Sequence, residues 1–479
     1  MTKHYFNVIF LVAVSLFFVS CGNRTRGIVG GDKLTSIPLK RQITRVQPMT
    51  GIVLWEALDN KDTDAIQMEY SYLRYNDIVK EKGVYDWSAV ETKLNSSASR
   101  SHQMILRFWD TYPGNESSIP DYIKALPDYI NIVAKSEGRD TGFPDWSHPE
   151  VKRFYLEFFQ EFAKKYDTDP RLAFLQVGFG LWSEYHIYDP EEILGTNFPS
   201  LYFQETYVRH LDTIFQETHW MISQDAQLAN RSPFAKKPDL LDIYFGIFDD
   251  SFHLAWEPGY NYEGWQFFGL KRFEASPAGG EILFPEKKQS DFVDAAWAQK
   301  SRQFGISFMI CEQWLNWISP ERMRQHSMDC GYKFKVCEFK SSERNSVVSV
   351  TNTGVAPIYY DAYITVNGIR SSESLKYLQA GDTLQYQIQS GGTNPILTIE
   401  SDRLVPGQKI GFEADLKKEL KNVTIQPTFK KVYLLTVVVL FFRKNSPLLT
   451  FVGYSPITIC LVFGTFNLCP LTLYQTDRN

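Results

Sequence analysis

The chain has 479 residues, 44% hydrophobic and 15% aromatic, enough to bury a large core and to build two domains. Its formal net charge of −5, with both signs scattered, gives no basic footprint and excludes nucleic acid as a partner class. The 11 Trp, 26 Tyr and 35 Phe supply flat rings of the kind that pack in a core or stack on the apolar faces of sugars.

The first 21 residues read as a targeting segment: Lys3 supplies positive charge, NVIFLVAVSLFFV is the apolar stretch, and Ser20-Cys21 closes it. FVSC resembles a bacterial lipoprotein processing box, with Phe18 where Leu is usual. That resemblance implies export, lipidation at Cys21 and attachment to the cell envelope, at the outer membrane or cell surface; a plain signal peptide or an N-terminal membrane anchor stays open. Residues 22–45 read as a linker. Five cysteines then remain, an odd count that forbids complete intramolecular pairing, although Cys330 and Cys337 are spaced to pair across a hairpin. No Cys/His cluster has metal-ligand spacing, so neither a metal nor a cofactor is expected.

From residue 46 to 340, short apolar runs of β type alternate with longer stretches of helical period. Eight strands are predicted: GIVLWEA (51–57), MEYSYLR (68–74), QMILRFW (103–109), LAFLQVG (172–178), HWMIS (219–223), LDIYFGI (241–247), FEASP (273–277) and GISFMIC (305–311). Ser88 with Glu91, and Ser147 with Glu150, have capping-box spacing, and Ser319-Pro320 reads as a cap followed by Pro at the first helical position. After Ser147, Val151, Tyr155, Phe158, Phe159 and Phe162 fall on one helical face. The fold class is therefore α/β, a (β/α)8 TIM barrel. Long Pro-, Gly- and aromatic-rich segments at 110–146 and 249–272 are expected to build a binding surface.

Residues 341–420 alternate apolar and polar positions between turn signals and predict a small antiparallel β-sandwich. The stretch from 421 ends in a mostly apolar tail interrupted by Arg443, Lys444, Pro456 and Pro470. A membrane span, an extra strand pair and a stretch outside the authentic reading frame are all open there. A monomer is expected.

In such a barrel, residues at the carboxyl ends of strands converge on one pocket. Glu184, in GFGLWSEYH after the fourth strand, and Glu281, in SPAGGE after the seventh, are each preceded by glycines that permit close backbone approach. Glycoside cleavage needs one protonated carboxyl on the leaving oxygen and a second carboxylate at the anomeric carbon. Asp249-Asp250 and Glu312 follow the sixth and eighth strands, Glu312 being the reserve second carboxylate. Trp109, Trp182 and Trp314 are candidate stacking walls or core residues. His186 is a candidate substrate contact or orienter of Glu184, with a structural role as the alternative.

The segments LRYNDIVKEKGVYDWSAVETKL, ILRFW, GFGLWSEYH, SPAGGE and GISFMIC, in this order, resemble the glycoside hydrolase clan of β-galactosidase-like barrels. With VTNTGVAPIYYDAYITVNG added, the chain is similar over roughly residues 48 to 415 to an exported bacterial family combining such a barrel with a terminal sandwich. The resemblance implies Glu184 as acid/base, Glu281 as nucleophile, and Arg74 as the charge keeping that nucleophile ionised. Ser183 stands where the clan usually has an Asn that holds a sugar hydroxyl, which places the activity in question. The expected partner is a carbohydrate, cleaved by a retaining two-glutamate mechanism or, alternatively, bound without turnover.

Overall fold

The computed structural model describes residues 33–59, 61–252, 261–282, 293–311 and 319–417. Cys21, Glu312, Trp314 and the apolar tail fall outside the described residues. Eight parallel strands close into a barrel: β1 Gly51–Trp55, β2 Met68–Arg74, β3 Gln103–Trp109, β4 Leu172–Gln176, β5 Trp220–Ser223, β6 Gly246–Phe252, β7 Ala278–Ile282 and β8 Phe308–Ile310, which pairs back to β1. The chain thus forms the expected TIM barrel. Two strands start later than their apolar runs suggest, β6 at Gly246 and β7 at Ala278. The residues just before them form tight 3-10 turns, Pro238–Asp242 and Leu270–Glu274, whose Leu240 and Phe273 pack into the outer core.

Around the barrel run α1 Ser88–Ser99, α2 Pro149–Tyr166, α3 Leu201–Ile214, α4 Tyr262–Phe268, α5 Val293–Phe304 and α6 Pro320–Met328. The predicted face of α2 is buried, from Val151 through Phe162, each ring removing roughly 1.5–3 kcal/mol worth of apolar surface from water. Its start differs from the expected capping box. Pro149 takes the first helical position, the His148 ring accepts the Glu150 N–H at 3.1 Å, and Ser147 instead binds the Asp145 carboxylate. At α1 the Ser88 N–H is held by Asp86 at 3.0 Å, so the capping oxygen comes from two residues earlier than predicted. Ser319 does cap α6, accepting the Arg322 N–H at 3.3 Å.

Past the barrel come β9 Phe334–Ser341, β10 Ser346–Asn352, β11 Tyr363–Val366, β12 Ile369–Ser374, β13 Thr383–Ile388, β14 Leu397–Glu400 and β15 Phe412–Leu416. One sheet has the order β13-β10-β9-β15 and is extended by Leu39–Arg41, with Thr35–Ser36 pairing β9; the other is β12-β11-β14. Part of the segment read as a linker therefore belongs to the sheet. The pairing is antiparallel except between β9 and β15. Cys330, buried after α6, and Cys337, exposed on β9, are both free thiols. The hairpin disulfide that their spacing allows does not form: Cys330 is buried, whereas Cys337 is exposed beside the Thr351 hydroxyl at 3.2 Å.

These sheets plug the amino-terminal end of the barrel. Interior residues Val53, Ile105, Phe174, Met221, Phe248 and Phe308 share one core with Phe334, Val348, Tyr360 and Phe412. Tyr360 stacks on Phe174 and donates its hydroxyl to the Ala173 carbonyl at the start of β4. Arg403, nearly buried, donates to the carbonyls of Asp167 and Leu172, both at 3.0 Å, and to the Thr218 hydroxyl at 3.1 Å, with its guanidinium over the Tyr360 ring. Arg403→Ala leaves those acceptors unpaired and should cost about 2–3 kcal/mol in denaturant unfolding. A loss under about 0.5 kcal/mol would mean that this seam adds nothing to stability. With this end sealed, the carboxyl ends of the strands form the mouth.

Candidate active site

The chain leaves β4 at Gln176 and folds tightly back on itself between Gly178 and His186. The Ser183 N–H bonds the Gly180 carbonyl, the Glu184 N–H the Leu181 carbonyl, the Tyr185 N–H the Phe179 carbonyl, and the Leu181 N–H the His186 carbonyl, all at 2.9–3.0 Å. Gly180 has φ +78°, and a β-carbon there would lie 2.4 Å from the His186 carbonyl oxygen. No other residue type fits that approach. Trp182, Ser183 and Tyr185 also have positive φ, of 53°, 61° and 62°, a strain of about 1 kcal/mol or more each that the surrounding bonds hold in place.

The result is a strict alternation. Leu181, Ser183, Tyr185 and Ile187 are buried, whereas Trp182, Glu184, His186 and Tyr188 face the mouth. Ser183 is therefore an anchor: its hydroxyl donates to the Phe108 carbonyl at 2.8 Å, and the sugar contact implied by its sequence position is not available to it.

Glu184 meets a buried cation that the sequence reading passed over. Arg107, on the inner face of β3 and fully buried, donates from Nη1 to Glu184 at 3.1 Å and from Nη2 to Asp250 at 2.6 Å. Nε donates to the Gln176 side-chain oxygen at 2.9 Å, Nη1 also lies 3.1 Å from the Tyr72 hydroxyl and 3.2 Å from the Trp182 carbonyl, and Phe248 lies under the guanidinium. Every ligand of Arg107 thus comes from a different strand or from the Glu184 loop. Burial, then the neighbouring Asp250 charge, push the Glu184 carboxyl well above the usual range, against the opposing pull of Arg107. Glu184 therefore keeps a proton where an exposed carboxyl would have lost it.

Glu281 lies within β7 rather than after it, paired in register with the inward-facing Ile310. Glu184, Asp250 and Glu281 each lie near enough to Tyr72, on β2, for their charges to help raise its phenol, after burial. Gly280, φ +141°, lets β7 press against β6, since a β-carbon there would sit 2.0 Å from the Asp249 carbonyl oxygen.

Other candidates fall elsewhere. Arg74 sits half-exposed and is held by Asp77 at 2.8 Å, because the chain bends at Tyr75 into a short helical turn. Asp249 points out of the barrel, accepting from Trp265 Nε1 at 2.8 Å and Asn261 Nδ2 at 2.7 Å; burial pushes it up to about 6. Its neighbour Asp250 holds the place at the site. His186 binds Asp225 through Nδ1 at 2.6 Å. Trp109 is nearly buried against Tyr112, while Trp182 is partly open. Rings of Trp55, Tyr72, Tyr112, Trp182, His186 and Tyr188 follow one another around the mouth at centroid spacings of 5.0–6.3 Å. The signal for Arg107 was a lone charge inside the apolar strand QMILRFW, at the same parity as Ile105 and Trp109.

The sequence matches no protein-family model and no curated protein. Among solved structures, the chain is similar to endo-glycoceramidase II from Rhodococcus sp., at 10% identity over 74% of this chain and 100% of that one, with TM-score 0.36. It is also similar to the catalytic domain of β-amylase from Paenibacillus polymyxa, at 10% identity over 58% and 95%, TM-score 0.34, and to the glycoside hydrolase domain of PelA from Pseudomonas aeruginosa, at 12% identity over 54% and 94%, TM-score 0.31. Likenesses this distant bear on neither activity nor substrate, and the barrel is established by its own strand pairing.

Proposed function

We propose that the chain is an exported glycoside hydrolase of the β-galactosidase-like clan, lipid-anchored at Cys21, which cleaves envelope or extracellular glycans with retention of configuration. What supports this reading is Glu184, raised by burial and held by Arg107 from the inner face of β3, together with Glu281 on β7 in register with the inward-facing Ile310. A proton donor for the leaving oxygen must keep its proton near neutral pH, and burial beside Asp250 supplies that condition. A nucleophile must be ionised and aimed from another strand, as Glu281 is in this reading. Arg107 fixes the acid in place and takes up the charge of Asp250.

The test is hydrolysis of aryl glycosides, oligosaccharides and envelope polysaccharides by the purified full chain, with the anomer of the first product read by NMR. Cleavage with retention is expected; an inverted first product rejects Glu281 as nucleophile, and cleavage of nothing rejects the hydrolase reading. Labelled palmitate should mark the wild-type chain in cells and not Cys21→Ala; label on both, or on neither, removes the anchor from the proposal.

The 3.1 Å contact that ties Glu184 to Arg107, and the Ser183 hydroxyl turned onto the backbone, favour a second reading in which the barrel binds glycans without turnover. Saccharides would then raise the melting temperature by mass action while no product forms.

A further inference from the structure

The alternation that aims Glu184 into the mouth also sets three rings beside it. Trp182, His186 and Tyr188 share its face, with centroids 6.0 Å apart between Trp182 and His186 and 5.5 Å between His186 and Tyr188. Tyr188 is 56% exposed, yet its ring is held: the hydroxyl donates to Glu137 at 2.8 Å, on the hairpin formed by Ile132–Ser136 and Arg139–Phe143. A tethered aromatic face open to water gains nothing from the core and is ready to cover an apolar surface. The rim around it is polar, made by Asp225 on His186 and by Glu137 with its partner Arg139. Flat rings bordered by fixed acceptors and donors match a saccharide, whose ring has apolar faces and a hydroxyl edge. A purely aliphatic or lipid group would leave those polar groups uncovered.

We infer that Trp182, His186 and Tyr188 form a leaving-group subsite that takes a sugar ring, so that the substrate is an oligosaccharide or polysaccharide rather than a glycoside of a small alcohol. This rests on Glu184 acting as the proton donor, because the group next to the acid is the one that departs. No bond is made or broken at the ledge. It holds the departing sugar so that its bridging oxygen lies at the Glu184 proton.

The experiment compares kcat/KM for a p-nitrophenyl glycoside and for a tetrasaccharide presenting the same sugar to cleavage, in the wild type, Tyr188→Ala and Tyr188→Phe. Because Tyr188 is a surface residue, both variants should fold, which circular dichroism checks. The ratio of tetrasaccharide to aryl glycoside efficiency should fall by about tenfold or more in Tyr188→Ala and far less in Tyr188→Phe, which keeps the ring. An unchanged ratio overturns the subsite. In a separate arm, the Glu184→Gln protein and its Tyr188→Ala derivative are titrated with xylo-, manno-, galacto- and cello-tetraoses, followed by tryptophan fluorescence. If the wild type cleaves nothing but one tetraose binds and is weakened about tenfold by Tyr188→Ala, the hydrolase reading fails while the sugar-binding ledge stands. Binding of none, or binding indifferent to Tyr188, removes the ledge.

Discussion

Glu184→Gln lowers kcat on oligosaccharides by about 10³-fold, within the range a positioned general acid supplies. The loss should be much smaller on aryl glycosides whose phenolate departs without a proton. A uniform loss on both substrate types would show that the substitution disturbs the loop rather than the chemistry, and no loss on either would remove Glu184 from the mechanism. Gln preserves shape and can still accept from Arg107 Nη1, so the 178–188 turn should persist. The pH profile gives an independent reading. The acid works only while protonated, so activity falls as pH rises through the elevated Glu184 pKa. Asp250→Asn takes away the neighbouring negative charge that helps to hold that proton, so the falling limb moves to lower pH.

Stability carries the same sign. The folded protein keeps a proton on Glu184 that the unfolded chain releases near the ordinary value of 4.5, so this group's contribution declines as pH rises from there to the elevated pKa. Asp249, raised from 3.8 to about 6, and Asp110, buried under the loop and raised from 3.8 to about 7, act in the same direction. His219, pushed down by burial to about 4, acts in the opposite direction, so the Glu184 part is read as a difference: between about pH 4 and pH 7 the unfolding free energy should fall more, or rise less, with pH in the wild type than in Glu184→Gln. A slope identical in the two proteins would mean that Glu184 titrates alike in both folded and unfolded states.

The barrel was legible because most of its strands are uninterrupted runs of buried residues, such as MILRF and LAFL, between clear helix signals. β6 and β7 were misplaced for a physical reason. β6 reads GIFDDSF, and its two acids are accommodated on opposite faces, Asp249 by Trp265 and Asn261 outside, Asp250 by Arg107 inside. Hydropathy cannot see a strand whose buried polar positions find their partners on other elements of the fold. In β7, AGGEI, the side chains that would have marked it are absent because Gly279 faces the Phe308 ring and Gly280 the β6 backbone. The same partnering hid Arg107, whose ligands lie between 35 and 143 residues away along the chain. Arg74 was singled out by the resemblance and by its place at the end of the second strand. A strand-end position is a local property, and it does not reveal that the chain turns at Tyr75 and that Asp77 waits there. Glu184 was found because its signal was local too: glycines before it and aromatic residues on alternate positions around it.

Arg107→Met should cost about 3–5 kcal/mol at pH 7. The guanidinium is fully buried and satisfies two carboxyls, a side-chain amide oxygen, a phenol and a main-chain carbonyl. Met fills a similar volume but leaves Asp250 charged and unpartnered among Phe248, Tyr70 and Tyr72. Lowering the pH should recover much of the loss, since Asp250 can then take up a proton instead of staying charged in an apolar site. Arg107→Met/Asp250→Asn should be less destabilised than Arg107→Met alone, a non-additivity that identifies the buried charge as the source. Arg107→Lys retains the charge but replaces a planar fork with a single point, and so cannot serve Glu184, Asp250 and Gln176 together. It should rescue stability in part and activity hardly at all. Removing the cation also removes a pull that favours ionised Glu184, so any residual activity in Arg107→Met should show its falling limb at higher pH, opposite to Asp250→Asn. Urea unfolding at pH 5 and 7, with pH–rate profiles of the two variants, separates these effects. Equal destabilisation at both pH values, or limbs displaced in the same direction, would mean that Arg107 acts by packing alone and that the carboxyls it joins are not electrostatically one unit.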